Sequence, residues 1–387
     1  MDFDVALGYF NSRMADKTKR PTVKAGGRLS ILDALRIFLA FWVTMGHFGV
    51  FPLFAGVDTS TGIGRTLVHG WSSIVWGIPA VIGFFVISGF CIHLPFRHEE
   101  KLAVGGYYAR RYLRILIPVA AAIMIMRLLG DRRAIIGIHS ILWNSVLWSL
   151  FCEEIYYAIY PLARWIRNRS GWAVLLVSAF LIGAILAVLC PKALDGSVVG
   201  TIEAAVILFP IWLLGCLLAE QSDGLPSLDS SRQIWMWRFI AWSASWVCEM
   251  IFFKEHVPLV QVLLCFGVIA YFWIKKEIAY GRHHQPWAPL ASAGLWSYSL
   301  YLIHGPAMRL FARLSLPNIG FSLNWCASFA FILALSYLFY LAVERPSHRL
   351  ARKFTVITGQ AKNSGAIAIP AAGSSESAAL GSNTLSA

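Results

Sequence analysis

Residues 71–95 read WSSIVWGIPAVIGFFVISGFCIHLP, a run of 25 residues that contains no Asp, Glu, Lys or Arg. An α-helix needs about 20 mostly apolar residues to cross the ~30 Å hydrocarbon core of a membrane. The rest of the chain has the same character, because 58% of its 387 residues are hydrophobic and only 14% are charged, against ~45–50% and ~25% in soluble domains. The sequence therefore predicts an all-α, polytopic membrane protein.

Nine further apolar runs bring the predicted number of membrane-spanning helices to ten. Their ranges are 31–53, 113–129, 146–166, 172–190, 201–220, 234–253, 257–274, 292–312 and 320–343. Together the runs predict one membrane-embedded domain over 30–350, between an N-terminal segment, 1–29, and a C-terminal tail, 351–387. The tail is rich in Ala, Ser and Gly and is expected to be disordered.

The charge of the chain is unevenly distributed between the two sides of the predicted bundle. The net charge is +13, and with the N-terminus in the cytoplasm 24 Lys and Arg residues fall on the inner side against 8 on the outer side. This asymmetry is typical of positive-inside topology. We therefore expect both termini to be cytoplasmic, contact with membrane lipids and no nucleic-acid binding.

The seven cysteines lie in or at the ends of apolar runs and form no Cys-x-x-Cys pair. This pattern is typical neither of a disulfide framework nor of a zinc site. No metal site is expected.

Two ionisable residues lie within the first apolar run. Arg36 and His47 are eleven residues apart, which places them on nearly the same helix face and ~16 Å apart along the axis. Arg36 falls toward the predicted cytoplasmic side and His47 beyond the membrane midplane. The alternatives to a functional pair are a snorkelling arginine and a histidine that hydrogen-bonds to a neighbouring helix.

A second group of arginines precedes the run 113–129. Arg111 and Arg114 share a helix face, and a pair of guanidinium groups suits the oxygens of a phosphate. A topology signal is the alternative. It accounts fully for Arg110 but less well for Arg114, which lies inside the apolar run.

Glu153 and Glu154 are adjacent within the run 146–166. Neighbouring side chains on a helix point about 100° apart, so we expect at most one carboxylate to face a functional cavity and the other to form an ion pair. A structural ion pair is also the alternative interpretation of each.

A polar stripe opens the run 292–312. Ser297, Tyr301 and His304 recur at helical spacing and must face the protein interior rather than lipid. His304, like His47 and Glu153, falls outward of the midplane, which predicts a His/Glu cluster beyond a basic cytoplasmic opening.

Other polar positions are interpreted as structural. Ser88 and Gly89 would let a neighbouring backbone approach closely. His93 is expected to be an ordinary interfacial histidine, and Glu344 with Arg345 an anchor at the membrane interface.

The sequence resembles acyltransferase family 3, because these motifs occur in the same order in that family. Its members are bacterial membrane enzymes with ten helices. The family patterns are Arg-x10-His, Phe-Phe-x-x-Ser-Gly-Phe, Arg-x-x-Arg, Trp-Ser-Leu-x-x-Glu-x-x-x-Tyr and Ser-Tyr-x-x-Tyr-x-x-His. They match, in chain order, 36–47, 84–90, 111–114, 148–157 and 297–304, and the closing Glu-x-Pro pattern matches 344–346. Ala34 stands where the family usually has glycine. The resemblance spans roughly 29–350.

The resemblance implies an acyltransferase of the bacterial cytoplasmic membrane. Acyl-CoA, with acetyl-CoA as the expected donor, would pass its acyl group to a hydroxyl of a surface or secreted carbohydrate, with no permanently bound cofactor. Arg36, Arg111 and Arg114 would hold the CoA phosphates. The catalytic assignments are His47 as general base, Glu153 to orient it or contact the acceptor, and His304 in the same cavity.

Two alternatives remain open in the sequence. Intramembrane His and Glu could form the proton relay of a transporter or exporter of a polar solute. A catalytically inactive sensor or scaffold would need the motifs to be purely structural.

Overall fold

The computed structural model describes residues 29–98, 102–130, 146–194, 198–314, 317 and 319–353, and within these ranges every regular element is helical. The helices are α1 Ser30–Phe48, α2 Gly62–Ser72, α3 Ile78–His93, α4 Val104–Leu128, α5 Leu147–Leu189, α6 Val198–Gln221, α7 Ser231–Lys254, α8 Leu259–Tyr280, α9 Ala288–Ala293, α10 Ser297–Arg313 and α11 Phe321–Phe339. Helix α11 continues through a π-helical turn, Tyr340–Glu344, to residue 353. The all-α prediction is confirmed. The segments 1–28 and 354–387 lie outside the described residues, so the expectations for both ends stay predictions.

Six helices of the described residues are long and apolar enough to cross a membrane: Ser30–Phe48, Gly62–Phe96, Leu147–Leu189, Gly200–Gly224, Leu259–Tyr280 and Phe321–Lys353. The chain is thus a multi-pass membrane protein. The predicted runs 113–129, 234–253 and 292–312 also form helices, α4, α7 and α10, which are not among these six. The number ten and the side of each terminus stay predictions.

Helix α5 combines two of the predicted runs. It has 43 residues, and its only non-helical backbone lies at Gly171, where φ is +80°. Glycine adopts this conformation without the steric cost that a Cβ would add. The two halves therefore correspond to the separate runs 146–166 and 172–190.

Helices α3 and α6 meet at backbone contact. A Cβ on Gly89 would lie 2.0 Å from the carbonyl oxygen of Trp212, and a Cβ on Gly215 would lie 2.1 Å from that of Val86. No side chain fits at either position, as is typical of close helix pairs in membranes. The predicted packing role of Gly89 is confirmed.

An ion-pair network, here called the paired network, joins the ends of α3 and α6. His93 Nε2 lies 2.8 Å from Glu220 Oε1, and Arg167 also donates to this carboxylate. Arg97 Nη2 donates to both carboxylate oxygens of Asp223 at 2.8 Å. His93 is only 2% exposed and is held within this network, so its position at the membrane interface stays a prediction.

Candidate active site

A cavity of about 580 Å³ opens at the end of the bundle where α1 begins. Six arginines line it: Arg36, Arg110, Arg111, Arg114, Arg345 and Arg352. Among the residues that the structure describes, only three carboxylates line it with them: Asp33, Glu153 and Glu344. The lining therefore carries an excess of positive charge, which favours an anionic ligand.

The three arginines singled out in the sequence lie together in this cavity. Arg36 Nη2 donates to Cys91 Sγ at 3.0 Å, and its Nη1 lies 3.5 Å from Asp33. Arg114 Nε donates to His348 Nε2 at 2.9 Å. The guanidinium of Arg111 lies 5.5 Å from the centre of the Tyr157 ring. Arg111 and Arg114 make these contacts with neutral groups. The Glu153 carboxylate lies near the charge of Arg111 and the Glu344 carboxylate near that of Arg114. The positive charge of the lining therefore comes from the excess of arginines over carboxylates.

Glu153 belongs to the same cavity. Its carboxylate lies beside the hydroxyls of Ser88 and Tyr157, whose oxygens are 2.8 Å apart, and close to the charges of Arg36 and Arg111. Glu153 lies with the arginines and away from His47. A contact in which Glu153 orients His47 is therefore absent from the described residues.

Glu154 points away from the cavity, as the 100° offset predicts. Both carboxylate oxygens of Glu154 are buried and have no hydrogen-bond partner among the described residues. The prediction that Glu154 forms an ion pair is therefore wrong for this part of the chain.

The two histidines predicted on the outer side are in contact with each other. His304 Nε2 lies 3.3 Å from His47 Nδ1, and the ring centres are 5.1 Å apart. His47 Nδ1 also lies 3.0 Å from the carbonyl oxygen of Val43, and His304 Nδ1 lies 3.1 Å from that of Leu300. His304 is 2% exposed, whereas His47 is exposed at the end of α1. This arrangement is here called the histidine pair.

The inner end of the cavity stops short of the histidine pair. It is lined by Val81, Phe84, Phe85 and Leu150 and closed by Tyr301. The Tyr301 ring lies 5.7 Å from that of Phe84 and 6.3 Å from that of His304. Within the described residues, neither His47 nor His304 lines the cavity, so His304 does not occupy the same cavity as the arginines.

The chain resembles known proteins along most of its length. The pattern of the acyltransferase 3 family, described as an acyltransferase domain, matches residues 29–341. The chain belongs to this family. It is also similar to the acyltransferase MdmB of Streptomyces mycarofaciens, with 24% identity over 375 residues, 84% of this chain and 92% of that protein. No solved structure matches the chain.

In this acyltransferase the backbone fixes the tautomers of the histidine pair. A carbonyl oxygen only accepts hydrogen bonds, so Nδ1 of each ring carries the proton that faces Val43 or Leu300 when the ring is neutral. Nε2 is then the unprotonated nitrogen of each ring. The single Nδ1–H of His47 lies between two acceptors, the Val43 carbonyl oxygen at 3.0 Å and His304 Nε2 at 3.3 Å, and is shared between them. Nε2 of His47 remains available to take a proton.

The acyltransferase cavity also contains residues that the sequence analysis did not assign to a site. Arg345, His348 and Arg352 recur at helical spacing after the predicted end of the last helix at 343. Because α11 continues to residue 353, this face lines the cavity. The helical spacing of these three residues could have predicted this face from the sequence. A search for apolar runs misses it, because the run ends at 343, before these residues begin.

The interpretation of Glu344 as an interfacial anchor is wrong. It is 2% exposed, and its Oε2 accepts from the backbone N–H of Ser299 at 3.1 Å and from the Ser299 hydroxyl at 2.5 Å. The π-helical turn Tyr340–Glu344 places it there, in keeping with the frequent occurrence of such turns at functional sites.

Proposed function

We propose that this acyltransferase is an integral-membrane O-acyltransferase that moves an acyl group from cytoplasmic acyl-CoA to a hydroxyl of a cell-surface or secreted carbohydrate. Acetyl is the expected acyl group. The observation that carries the proposal is the arginine-lined cavity, which combines a strongly basic opening with an apolar inner end.

The cavity suits acyl-CoA in both charge and size. CoA carries several phosphate oxygens at one end, and guanidinium groups bind phosphates through two parallel hydrogen bonds. Arg36, Arg111 and Arg114 would bind these phosphates, assisted by Arg110 and Arg352. The apolar inner end would receive the thioester end of the molecule, and a volume of about 580 Å³ falls in the ~300–1,000 Å³ range of small-molecule sites.

Transfer needs a base that takes the proton of the acceptor hydroxyl. Nε2 of His47 takes it as the hydroxyl oxygen attacks the thioester carbon, and the proton passes to the CoA thiolate when the C–S bond breaks. The Val43 carbonyl and His304 Nε2 stabilise the imidazolium through Nδ1–H, the role of an orienting group in a catalytic triad. Glu153 contacts the donor rather than His47.

We place the enzyme in the bacterial cytoplasmic membrane, with ten spans and both termini in the cytoplasm. This orientation puts the arginine-lined cavity on the side where acyl-CoA is made. A reporter fused after Ala387 should be active in the cytoplasm. Activity only in the periplasm would contradict the proposed orientation.

The proposal is tested in sealed vesicles that contain the protein and are supplied with acetyl-CoA, with and without an acceptor glycan. Acceptor-dependent release of free CoA thiol, with one acetyl group appearing on the glycan per thiol, is the expected result. The His47→Gln protein, which inserts but lacks the base, is the matched control. A proton-coupled exporter would move a solute across the membrane without consuming thioester. Solute transport with no loss of acetyl-CoA would therefore refute the proposed acyl transfer.

A further inference from the structure

Two motif residues that have no role in the proposed chemistry form a hydrogen-bonded pair. Ser149 of α5 and Tyr301 of α10 are 3% and 5% exposed, and their hydroxyl oxygens are 2.6 Å apart. Both hydroxyls also reach the carbonyl oxygen of Val146, at 3.0 and 3.1 Å. These three groups, here called the latch, connect the start of α5 to α10.

The latch lies between the two functional clusters. Tyr301 and Ser149 line the inner end of the cavity, whereas the other side of the Tyr301 ring faces His304 in an edge-to-face contact at 6.3 Å. The ring contacts Phe84 of α3 in the same geometry at 5.7 Å. With the latch closed, a thioester in the cavity is separated from the histidine pair.

We propose that the latch is the barrier that a thioester must pass to reach the histidine pair, and that it limits the loss of acyl groups to water. This inference rests on the proposed function, because it takes the cavity ligand to be acyl-CoA. It assigns Tyr301 and Ser149 as positioning residues. They control access to the base and take no proton themselves.

Loss to water is a defined reaction at this site. When the latch opens without an acceptor, a water oxygen attacks the acyl carbon, His47 Nε2 takes the water proton, and the C–S bond breaks to give the carboxylic acid and CoA thiol. A closed latch suppresses this step because it keeps the thioester out of reach of His47.

Removing either hydroxyl should favour the open state without removing the ring. The net contribution of one hydrogen bond corresponds to a roughly two- to tenfold change in population. We therefore expect Tyr301→Phe and Ser149→Ala each to raise acetyl-CoA hydrolysis without acceptor by about two- to tenfold. Ser149→Ala leaves the Tyr301 hydroxyl on the Val146 carbonyl, so its increase should be the smaller of the two. The double variant should not exceed Tyr301→Phe, which already removes both bonds of α10 to the start of α5.

The matched control is Tyr271→Phe. The Tyr271 hydroxyl lies 2.9 Å from Gln221 Oε1, and its side chain is also buried, at 6% exposure, but it lies outside the cavity. It reports the cost of removing any buried tyrosine hydroxyl from the bundle.

The experiment has two readouts on purified protein in detergent. The first is the rate at which diethylpyrocarbonate modifies His304, followed by mass spectrometry, which needs no CoA. The second is acetyl-CoA hydrolysis, with CoA binding measured in parallel. We expect both rates to rise in Tyr301→Phe and Ser149→Ala, with CoA affinity retained, and neither to rise in Tyr271→Phe.

Unchanged His304 modification in the folded latch variants would overturn the proposal, and either variant suffices if the other does not fold. Raised modification with unchanged hydrolysis would also overturn it, because the latch would then not control the thioester. A wild-type protein that does not bind CoA would refute the proposed function instead, and the modification of His304 would still show whether the latch exists.

Discussion

The arginine-lined cavity and the histidine pair differ in how their side chains are held. The arginines surround open space, and Arg111 and Arg114 rest on an aromatic ring and a neutral histidine. The two imidazoles contact each other, and a carbonyl oxygen one helical turn earlier fixes each ring. The first arrangement is suited to binding an anion of some size, and the second to holding one nitrogen in a fixed protonation state.

This difference indicates that binding and chemistry are separated along the bundle. In the proposed function, affinity for acyl-CoA depends on the cavity and the rate of transfer depends on the histidine pair. Substitutions in the two regions should therefore change different constants.

The largest effect is expected for His47→Ala. Removing a general base typically slows the chemical step by ~10²–10⁴, whereas CoA affinity should stay at its wild-type value because His47 lies outside the cavity. The measurement is acyl transfer by purified protein together with CoA binding.

A histidine that only connects two helices contributes ~0.6 kcal/mol on average in membrane bundles. A stable His47→Ala protein that transfers acyl groups at near wild-type rate would therefore assign His47 to structure. His47→Gln serves as the control for packing, because its side chain keeps hydrogen-bonding groups.

The next largest effect is expected for Arg111→Ala and Arg114→Ala. The loss of a charge-assisted contact to phosphate costs ~1.5–3 kcal/mol, or roughly ten- to a hundredfold in affinity. The turnover number at saturating acyl-CoA should change little. Wild-type affinity in both proteins would leave these arginines as topology signals and would remove the distinction between the two regions.

The sequence predicts the helices well where apolar length defines them and poorly where polar residues face the interior. The run 172–190 and its neighbour were separated correctly at the polar segment that contains Gly171. Helix α4, in contrast, begins at Val104 rather than at 113, and α11 continues past 343. In both cases arginines that line a cavity lower the hydropathy of a segment that is nevertheless helical.

The site was predictable in its residue types and only partly in its contacts. Helical spacing correctly placed Arg111 and Arg114 on one face, and depth placed His47 and His304 on the same side of the midplane. Their contact joins residues 257 positions apart and depends on how α1 packs on α10. The same packing separates Glu153 from His47, which neither spacing nor depth could predict.

A smaller effect is expected for His304→Ala. His304 acts through His47 by accepting its Nδ1–H, and one such hydrogen bond corresponds to a two- to tenfold decrease in turnover. His304→Gln should restore part of the rate, since its amide oxygen also accepts a hydrogen bond. If His304→Ala alone abolishes turnover, the base lies on α10 and the assignment within the pair is reversed.

The smallest effect on the affinity for acyl-CoA is expected for Arg97→Ala. This variant tests whether that affinity depends on the arginines that line the cavity or on any arginine at the same end of the bundle. Arg97 lies at the predicted cytoplasmic end, as Arg114 does, but its guanidinium donates to both oxygens of Asp223. Its loss should lower the free energy of unfolding by about 1 kcal/mol, because Asp223 is 30% exposed and regains water. Acyl-CoA affinity should not change, since the positive charge of Arg97 is neutralised in the paired network and does not reach the cavity. Thermal unfolding and CoA binding of Arg97→Ala and Arg114→Ala, measured side by side, check this contrast. An equal loss of affinity in both proteins would mean that acyl-CoA binding depends on the overall charge at this end of the bundle rather than on the arginines that line the cavity.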